Sequence, residues 1–258
     1  MKKIVLQAAF FIFLQNLMFS QDFRFGFQVS PNRTWINSSD NTINPTSGNT
    51  GLKLGVVGEY YFDERYAITA GLGFAFNQGG TLKHDRGGNF FSESDLSNPN
   101  LNSGDKPLPD GVELTYKIQY VEIPLGLKMR TDEMGYFRYY AEIPIFPTAI
   151  RTQARGNIEG TDINVEDLDI NKDVTLFSLS WGLGAGVEYN ISSNTALVAG
   201  LYYQNQIIDF TDNDATIATD QTAGANTPDD PSDDQFTTIK EDASSKIGSI
   251  TLRLGVLF

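Results

Sequence analysis

The chain has 258 residues, no cysteine and a formal charge of −13. Without cysteine, disulfides, thiolate metal sites, thiol nucleophiles and a lipid-modified N-terminal cysteine are excluded. The acidic balance argues against a nucleic-acid partner, which requires basic side chains to neutralise phosphate. Hydrophobic residues at 40% exclude a disordered chain, and aromatics at 12% with 24 glycines favour strands joined by tight turns.

Residues 1–20 read as a cleaved targeting segment. Lys2 and Lys3 supply the positive start, Ile4 to Met18 the apolar stretch, and Ser20 a small residue before a cut ahead of Gln21. The apolar run is shorter than the roughly 20 residues a spanning helix needs. The remaining domain, 21–258, holds no other run of that length, so in a membrane it must be a closed barrel.

Eight segments alternate in polarity with period two. The first is Phe23, Phe25, Phe27, Val29, and the second Leu52, Leu54, Val56, Tyr60, Phe62. The third runs from Tyr66 to Phe76, the fourth from Val112 to Lys128, and the fifth from Gly135 to Ile150. The sixth is Phe177 to Tyr189, the seventh is centred on Leu197 to Tyr203, and the eighth is Ile250 to Phe258. Each is at least the nine to eleven residues, roughly, that a tilted membrane strand requires. The connections alternate in length. Long ones are expected at Pro31–Thr50, Gln78–Gly111, Arg151–Lys172 and Asp209–Ser244, and short ones at Asp63–Arg65, Thr131–Met134 and Asn190–Asn194. That sorting predicts an eight-stranded antiparallel transmembrane up-and-down β-barrel of the outer membrane, with short periplasmic turns and long extracellular loops. A terminal aromatic, Phe258, resembles the recognition signal of barrels inserted by the outer-membrane assembly machinery.

The apolar set then faces lipid, with aromatic girdles at Phe23, Phe62, Tyr66, Phe137, Tyr189 and Phe258 on one side and Phe76, Tyr116 and Tyr203 on the other. The inward set holds Arg24, Lys53, Lys128, Arg138 and Arg253 against Glu59, Glu122, Glu142 and Glu188. An eight-stranded barrel is only wide enough for side chains, and buried charges must be paired. A lumen plugged by ion pairs is expected rather than a water-filled pore.

The fourth and fifth strands each carry Glu-Ile-Pro, at Glu122–Pro124 and Glu142–Pro144. Proline cannot donate to a ladder, so each unit should mark a bulge. The apolar phase of the fourth strand shifts between Tyr120 and Val121, which suggests one extra residue there. A turn centred near Glu133 would put the two units almost opposite each other, as a kinked wall able to dock another membrane protein.

The stretch from Tyr120 to Lys128 resembles the Tyr-hydrophobic-Glu-Ile-Pro-Leu segment of PorT-type outer-membrane barrels, common in the Bacteroidetes. Gly51 to Gly55, Gly182 to Tyr189 and Leu252 to Gly255 agree with that pattern. The resemblance implies outer-membrane residence; the best-known member is needed for the type IX secretion and gliding apparatus.

Candidate chemistry is sparse. His84, the single histidine, lies in the second outer loop with Ser92, Glu93, Ser94 and Asp95 nearby, and is expected to be a solvated loop residue. Residues 209–244 contain nine Asp and one Glu. Within them Asp229, Asp230, Asp233 and Asp234 are a candidate for weak divalent-cation binding, although Asp212 and Asp214 lack the glycine of a helix–loop–helix calcium site. No catalytic, cofactor or metal residue is assigned. The function expected is a non-enzymatic structural or accessory barrel protein. A small porin-like channel and a rim-located lipid hydrolase or acyltransferase are the alternatives.

Overall fold

The computed structural model describes residues 23–92, 94, 108–144, 147–211, 216–220, 236–240 and 243–258, so the targeting segment at 1–20 lies outside the described residues. In chain order the strands are β1 (Phe23–Ser38), β2 (Ile43–Asp63), β3 (Tyr66–His84), β4 (Gly88–Asn89), β5 (Glu113–Ile123), β6 (Leu125–Arg130) and β7 (Phe137–Pro144). They continue as β8 (Thr148–Glu159), β9 (Asn164–Asp169), β10 (Phe177–Asn190), β11 (Ala196–Gln206), β12 (Thr216–Asp220), β13 (Phe236–Lys240) and β14 (Ser245–Leu257).

Antiparallel pairing runs β1–β2–β3, then from β3 to both β5 and β6. It continues from these to β8 and β7, on to β10, β11 and β14, and back to β1. With β5/β6 and β7/β8 each counted as one interrupted stave, eight antiparallel staves close a barrel. Closure matters because hydrocarbon offers no partner to an unpaired strand edge. The seam is zipped to its end, where Phe258 and Phe25 exchange backbone hydrogen bonds of 2.7 and 3.1 Å. Short turns join β2 to β3, β6 to β7 and β10 to β11, as the sequence predicts, although the second is longer than Thr131–Met134 and reaches Tyr136. Gly135, at φ +71° in the β6–β7 turn, takes the left-handed backbone that glycine adopts without steric cost.

The long outer loops are shorter than the alternation suggests. β1 runs on to Ser38 and β2 begins at Ile43, so the first connection is a tight turn in which Asp40 accepts hydrogen bonds from the Thr42 amide and hydroxyl. β3 continues to His84 and β8 to Glu159, with β9 paired to β8. Within the fourth loop, β12 and β13 form a hairpin whose first strand also pairs with β4.

Strand ends were misplaced in the sequence because the polarity of the barrel inverts along its axis. In the membrane half, Phe25, Phe27, Leu54, Leu72, Ile123 and Leu183 face outward and are exposed, while polar side chains face in. In the outer half, Ile36, Leu82, Leu114, Ile118, Ala154 and Ile158 face inward and are fully buried, and the outward set is polar. The outer half is therefore organised like a water-soluble barrel with an apolar core, standing on a membrane barrel with a polar one.

β5 shows the inversion most directly. Leu114, Tyr116, Ile118 and Tyr120 are buried on the inward face, and Glu122, Gly126 and Lys128 continue that same face. The expected extra residue near Tyr120–Val121 is therefore absent from this strand; it is the environment that changes, not the phase. Extra residues sit on the two neighbours. Phe76 and Asn77 of β3 together oppose Gln119, and Thr152 of β8 is skipped between Gln153 and Arg151. Asn77 has φ +57°, the left-handed conformation of a bulge residue. Tyr116, expected in the outer girdle, points into the core, edge-on to Phe210 at 5.2 Å and Phe91 at 5.7 Å. Tyr203 keeps its expected place in the outer girdle and is joined there by Trp35 and Trp181, at ring separations of 6.3 and 5.9 Å.

The Glu-Ile-Pro units are staggered rather than opposite. Gly126 pairs with Pro144 and Lys128 with Glu142, whereas Ile123 pairs with Thr148. The turn centres near Gly135, not Glu133, and this slides the two units past each other. Each proline ends a run of strand: Pro124 separates β5 from β6, and Pro144 closes β7.

Candidate functional site

Six of the eight staves deliver charged groups into the membrane half of the lumen. Lys128 Nζ donates to Glu59 at 2.6 Å and also to Glu188, and Arg24 reaches Glu188 at 2.9 Å. Arg253 Nη1 lies 2.7 Å from Glu142, and Lys53 Nζ lies 2.8 Å from Glu122. The four carboxylates so placed are matched by four cations. Arg138 keeps the inward phase of Tyr140 and Glu142, but it lies at the periplasmic mouth, where β7 begins, and pairs with Glu133 at 2.9 Å.

Hydrogen bonds and aromatic faces satisfy the remaining valences. Tyr61 donates to Glu59 at 2.6 Å, Tyr202 to Glu142 at 2.6 Å, and Thr69 to Glu142 at 3.0 Å. Lys128 lies over the Tyr140 ring and Arg253 over the Tyr202 ring, 4.4 and 3.7 Å from their centroids. Glycine makes room for these rings: a Cβ on Gly184 would sit 2.2 Å from Tyr202, and one on Gly200 would sit 2.3 Å from the Tyr140 hydroxyl. Low dielectric strengthens such a network only while every member is paired. Sequence reading missed the three tyrosines. Tyr140 shares the phase of Glu142, and that parity was the available signal.

Above the ion pairs lies a small chamber of about 50 Å³ lined by Lys53, Glu122, Gln78, Gln204, Gln206 and Ser178 among others. Roughly 10–15 Å³ suffices for one water, so the space and its polar lining suit a few waters. Gln206 ties the chamber together, donating to Ser178 at 2.7 Å and accepting from the Ile247 amide at 3.0 Å. Above the chamber the apolar core closes the lumen with Ile118, Tyr116, Phe91, Phe210, Leu168 and Ile170.

His84 is not a solvated loop residue. It ends β3, is 5% exposed, and stacks on Phe90 with ring centroids 3.9 Å apart. The strand runs farther than the sequence pattern shows, and this carries the imidazole into the outer core. Burial pushes its pKa down to about 4, against the opposing pull of Asp40 and Asp85. Ser94 donates to Asp173 in the third outer loop, while Glu93 and Asp95 lie outside the described residues. The run Asp229–Asp234 also lies outside them. Among the described residues no group of three or more His, Asp or Glu side chains is placed to hold a metal ion.

Residues 15–212 match the family model described as outer membrane protein beta-barrel domain. Among solved structures, the chain is similar to Neisserial surface protein A at 12% identity, covering 90% of this chain and 95% of that chain, with a TM-score of 0.39. It is similar to the outer membrane protein OprG from Pseudomonas aeruginosa at 12% identity, covering 92% and 95%, with a TM-score of 0.42. It is also similar to Ail, the attachment invasion locus protein of Yersinia pestis, at 13% identity, covering 92% and 100%, with a TM-score of 0.36. No curated protein matches the chain.

Proposed function

Because this chain belongs to the outer membrane protein beta-barrel domain family, we propose that it is a closed, non-enzymatic barrel serving as a structural or accessory component of a surface complex. Its place is the outer membrane of a Gram-negative cell. The observation that carries the closed reading is the double obstruction of the lumen: a paired network of four carboxylates and four cations below, and a packed, largely apolar core above. Neither layer offers a permeating ion a continuous polar path. Planar-bilayer recording tests this. The barrel should give no steady large conductance, and stable, selective current from the unmodified protein would replace this reading with that of a small channel.

The complex we favour is a secretion or surface-assembly apparatus of the type IX kind, supported by the PorT-like stretch Tyr120–Lys128. Its docking surface in this reading is the wall that carries Glu122–Pro124 and Glu142–Pro144. There Ile123 and Ile143 project outward from adjacent staves and are 46% and 43% exposed, while their glutamates are turned inward into ion pairs. Affinity capture from solubilised native membranes, followed by mass spectrometry, tests the assignment: recovery of components of a secretion apparatus supports it, and recovery of the barrel alone removes it.

A further inference from the structure

The outer rim of the lipid-facing wall carries a feature that a closed structural barrel does not need. Trp35 on β1 lies flat across Gly248 of β14, its direct cross-strand partner. A Cβ at Gly248 would stand 2.6 Å from the indole, so only glycine leaves the shelf on which the ring rests. The ring reaches Tyr203 on β11, and Tyr203 in turn meets Trp181 on β10, so one aromatic band crosses four adjacent strands. Aromatic rings with a polar edge settle at the boundary between acyl chains and headgroups.

Two cations flank the indole on the same outward face. Arg33 lies two residues below Trp35 on β1, and Lys246 lies two residues above Gly248 on β14. Arg33 is exposed and its guanidinium donates to the Thr50 hydroxyl at 3.1 Å. Neither cation has a carboxylate within ion-pair distance among the described residues, although the chain carries a charge of −13. Both cations lie on the outward wall beside the indole, where no carboxylate of the described residues neutralises them. Lys246 stands at headgroup height, and Arg33, on the membrane side of the indole, can reach the same layer along its flexible stem; screening by salt is weaker there, near the low-dielectric bilayer.

We propose that Arg33, Trp35 and Lys246 form a docking site for a phosphorylated glycolipid of the outer leaflet. The two cations take the phosphates of its sugar headgroup and the indole takes the sugar ring and the first methylenes below it. Arg33 suits a phosphate through its planar donors, and Lys246 adds a flexible point charge. The acidic remainder of the protein repels the same headgroups, which confines the attraction to this sector of the wall.

The test uses the full barrel in detergent micelles, titrated by native mass spectrometry with diphosphoryl lipid A, with the same lipid stripped of phosphate, and with phosphatidylglycerol. The unmodified barrel should retain diphosphoryl lipid A in preference to the other two. Arg33→Gln with Lys246→Gln should weaken that retention about tenfold, the scale of two partly screened ion pairs. Gly248→Leu, which displaces the indole, should weaken it as well, while Lys117→Gln, an outward cation elsewhere on the rim, should leave it unchanged. Heat-modifiable mobility on gels verifies that each variant is folded. Equal retention by the folded double variant, or equal binding of phosphate-free lipid A or phosphatidylglycerol, overturns the proposal.

Discussion

Arg253 and Glu142 face each other across the lumen at 2.7 Å, and the Tyr202 hydroxyl lies 2.7 Å from the first and 2.6 Å from the second. Both side chains are largely shielded from solvent. Removing one charge leaves the other buried without a partner, and that costs about 3–5 kcal/mol. Arg253→Ala and Glu142→Ala should each lower the urea midpoint of unfolding by that order. The double variant Arg253→Met with Glu142→Leu should be far less damaging than the two single losses together, because no charge is left stranded. Additive losses in equilibrium unfolding would show that the pair is not coupled.

The inversion of polarity makes adjacent residues of β5 respond oppositely. Ile118 points into the outer core and is fully buried, whereas Lys117 beside it faces outward and is exposed. Ile118→Ala should cost about 2–5 kcal/mol, the usual range for emptying a packed aliphatic site. Lys117→Ala should stay within about 0.5 kcal/mol. Ile123, five residues along on the opposite face, meets lipid, so Ile123→Lys should impair membrane insertion by about 2–4 kcal/mol if it lies near the midplane. If Ile118→Ala leaves the unfolding midpoint where it was, the outer half does not have the packed core described.

The same inversion explains what the sequence made legible. Period-two alternation and the three short turns fix the number of staves, and the inward phase of Glu59, Glu122, Glu142 and Glu188 reveals the ion-pair lumen before any coordinates. The outer strands were hidden because apolar residues exchange faces at Tyr120–Val121, and a pattern read for lipid exposure treats that exchange as a slip or a strand end. The bulges at Phe76–Asn77 and Thr152 were hidden for a different reason: each is defined by its partner strand, and one strand's own spacing does not contain the register. His84 was misjudged on the same ground, since its burial follows from how far β3 extends.

His84 gives the outer core a dependence on pH. Its pKa is lowered from 6.5 to about 4 by burial, so between those values the unfolded chain binds a proton that the folded chain refuses. More protons bound in the unfolded state means stability falls as pH falls. The contribution is fully present above pH 6.5 and is lost on the way to pH 4, at about 1.4 kcal/mol per pH unit at most. Asp40, whose pKa is also lowered, by hydrogen bonds from Thr42, acts below its ordinary 3.8 and so outside that window. Unfolding of the wild type and His84→Leu should be compared from pH 6.5 to 4.5. The wild type should lose stability more steeply, and parallel curves would mean the imidazole is already accessible to protons.

The outward wall of staves four and five should matter more to complex formation than the acidic loop does. Ile123 and Ile143 are held on strands whose inward neighbours Glu122 and Glu142 are locked in ion pairs, so the outward surface they present is rigid. Rigid apolar surface is the kind that a second membrane protein can pack against without an ordering cost. The segment 212–242, by contrast, joins two staves that are already zipped to each other from Ala196 to Asn205. Its deletion should therefore leave barrel closure and heat-modifiable mobility intact. Ile123→Trp with Ile143→Trp should reduce recovery of partners from native membranes several-fold, while the deletion should have a smaller effect. Cross-linking followed by mass spectrometry decides between them: contacts confined to 212–242, with none along β5 to β8, would remove the docking role from this wall.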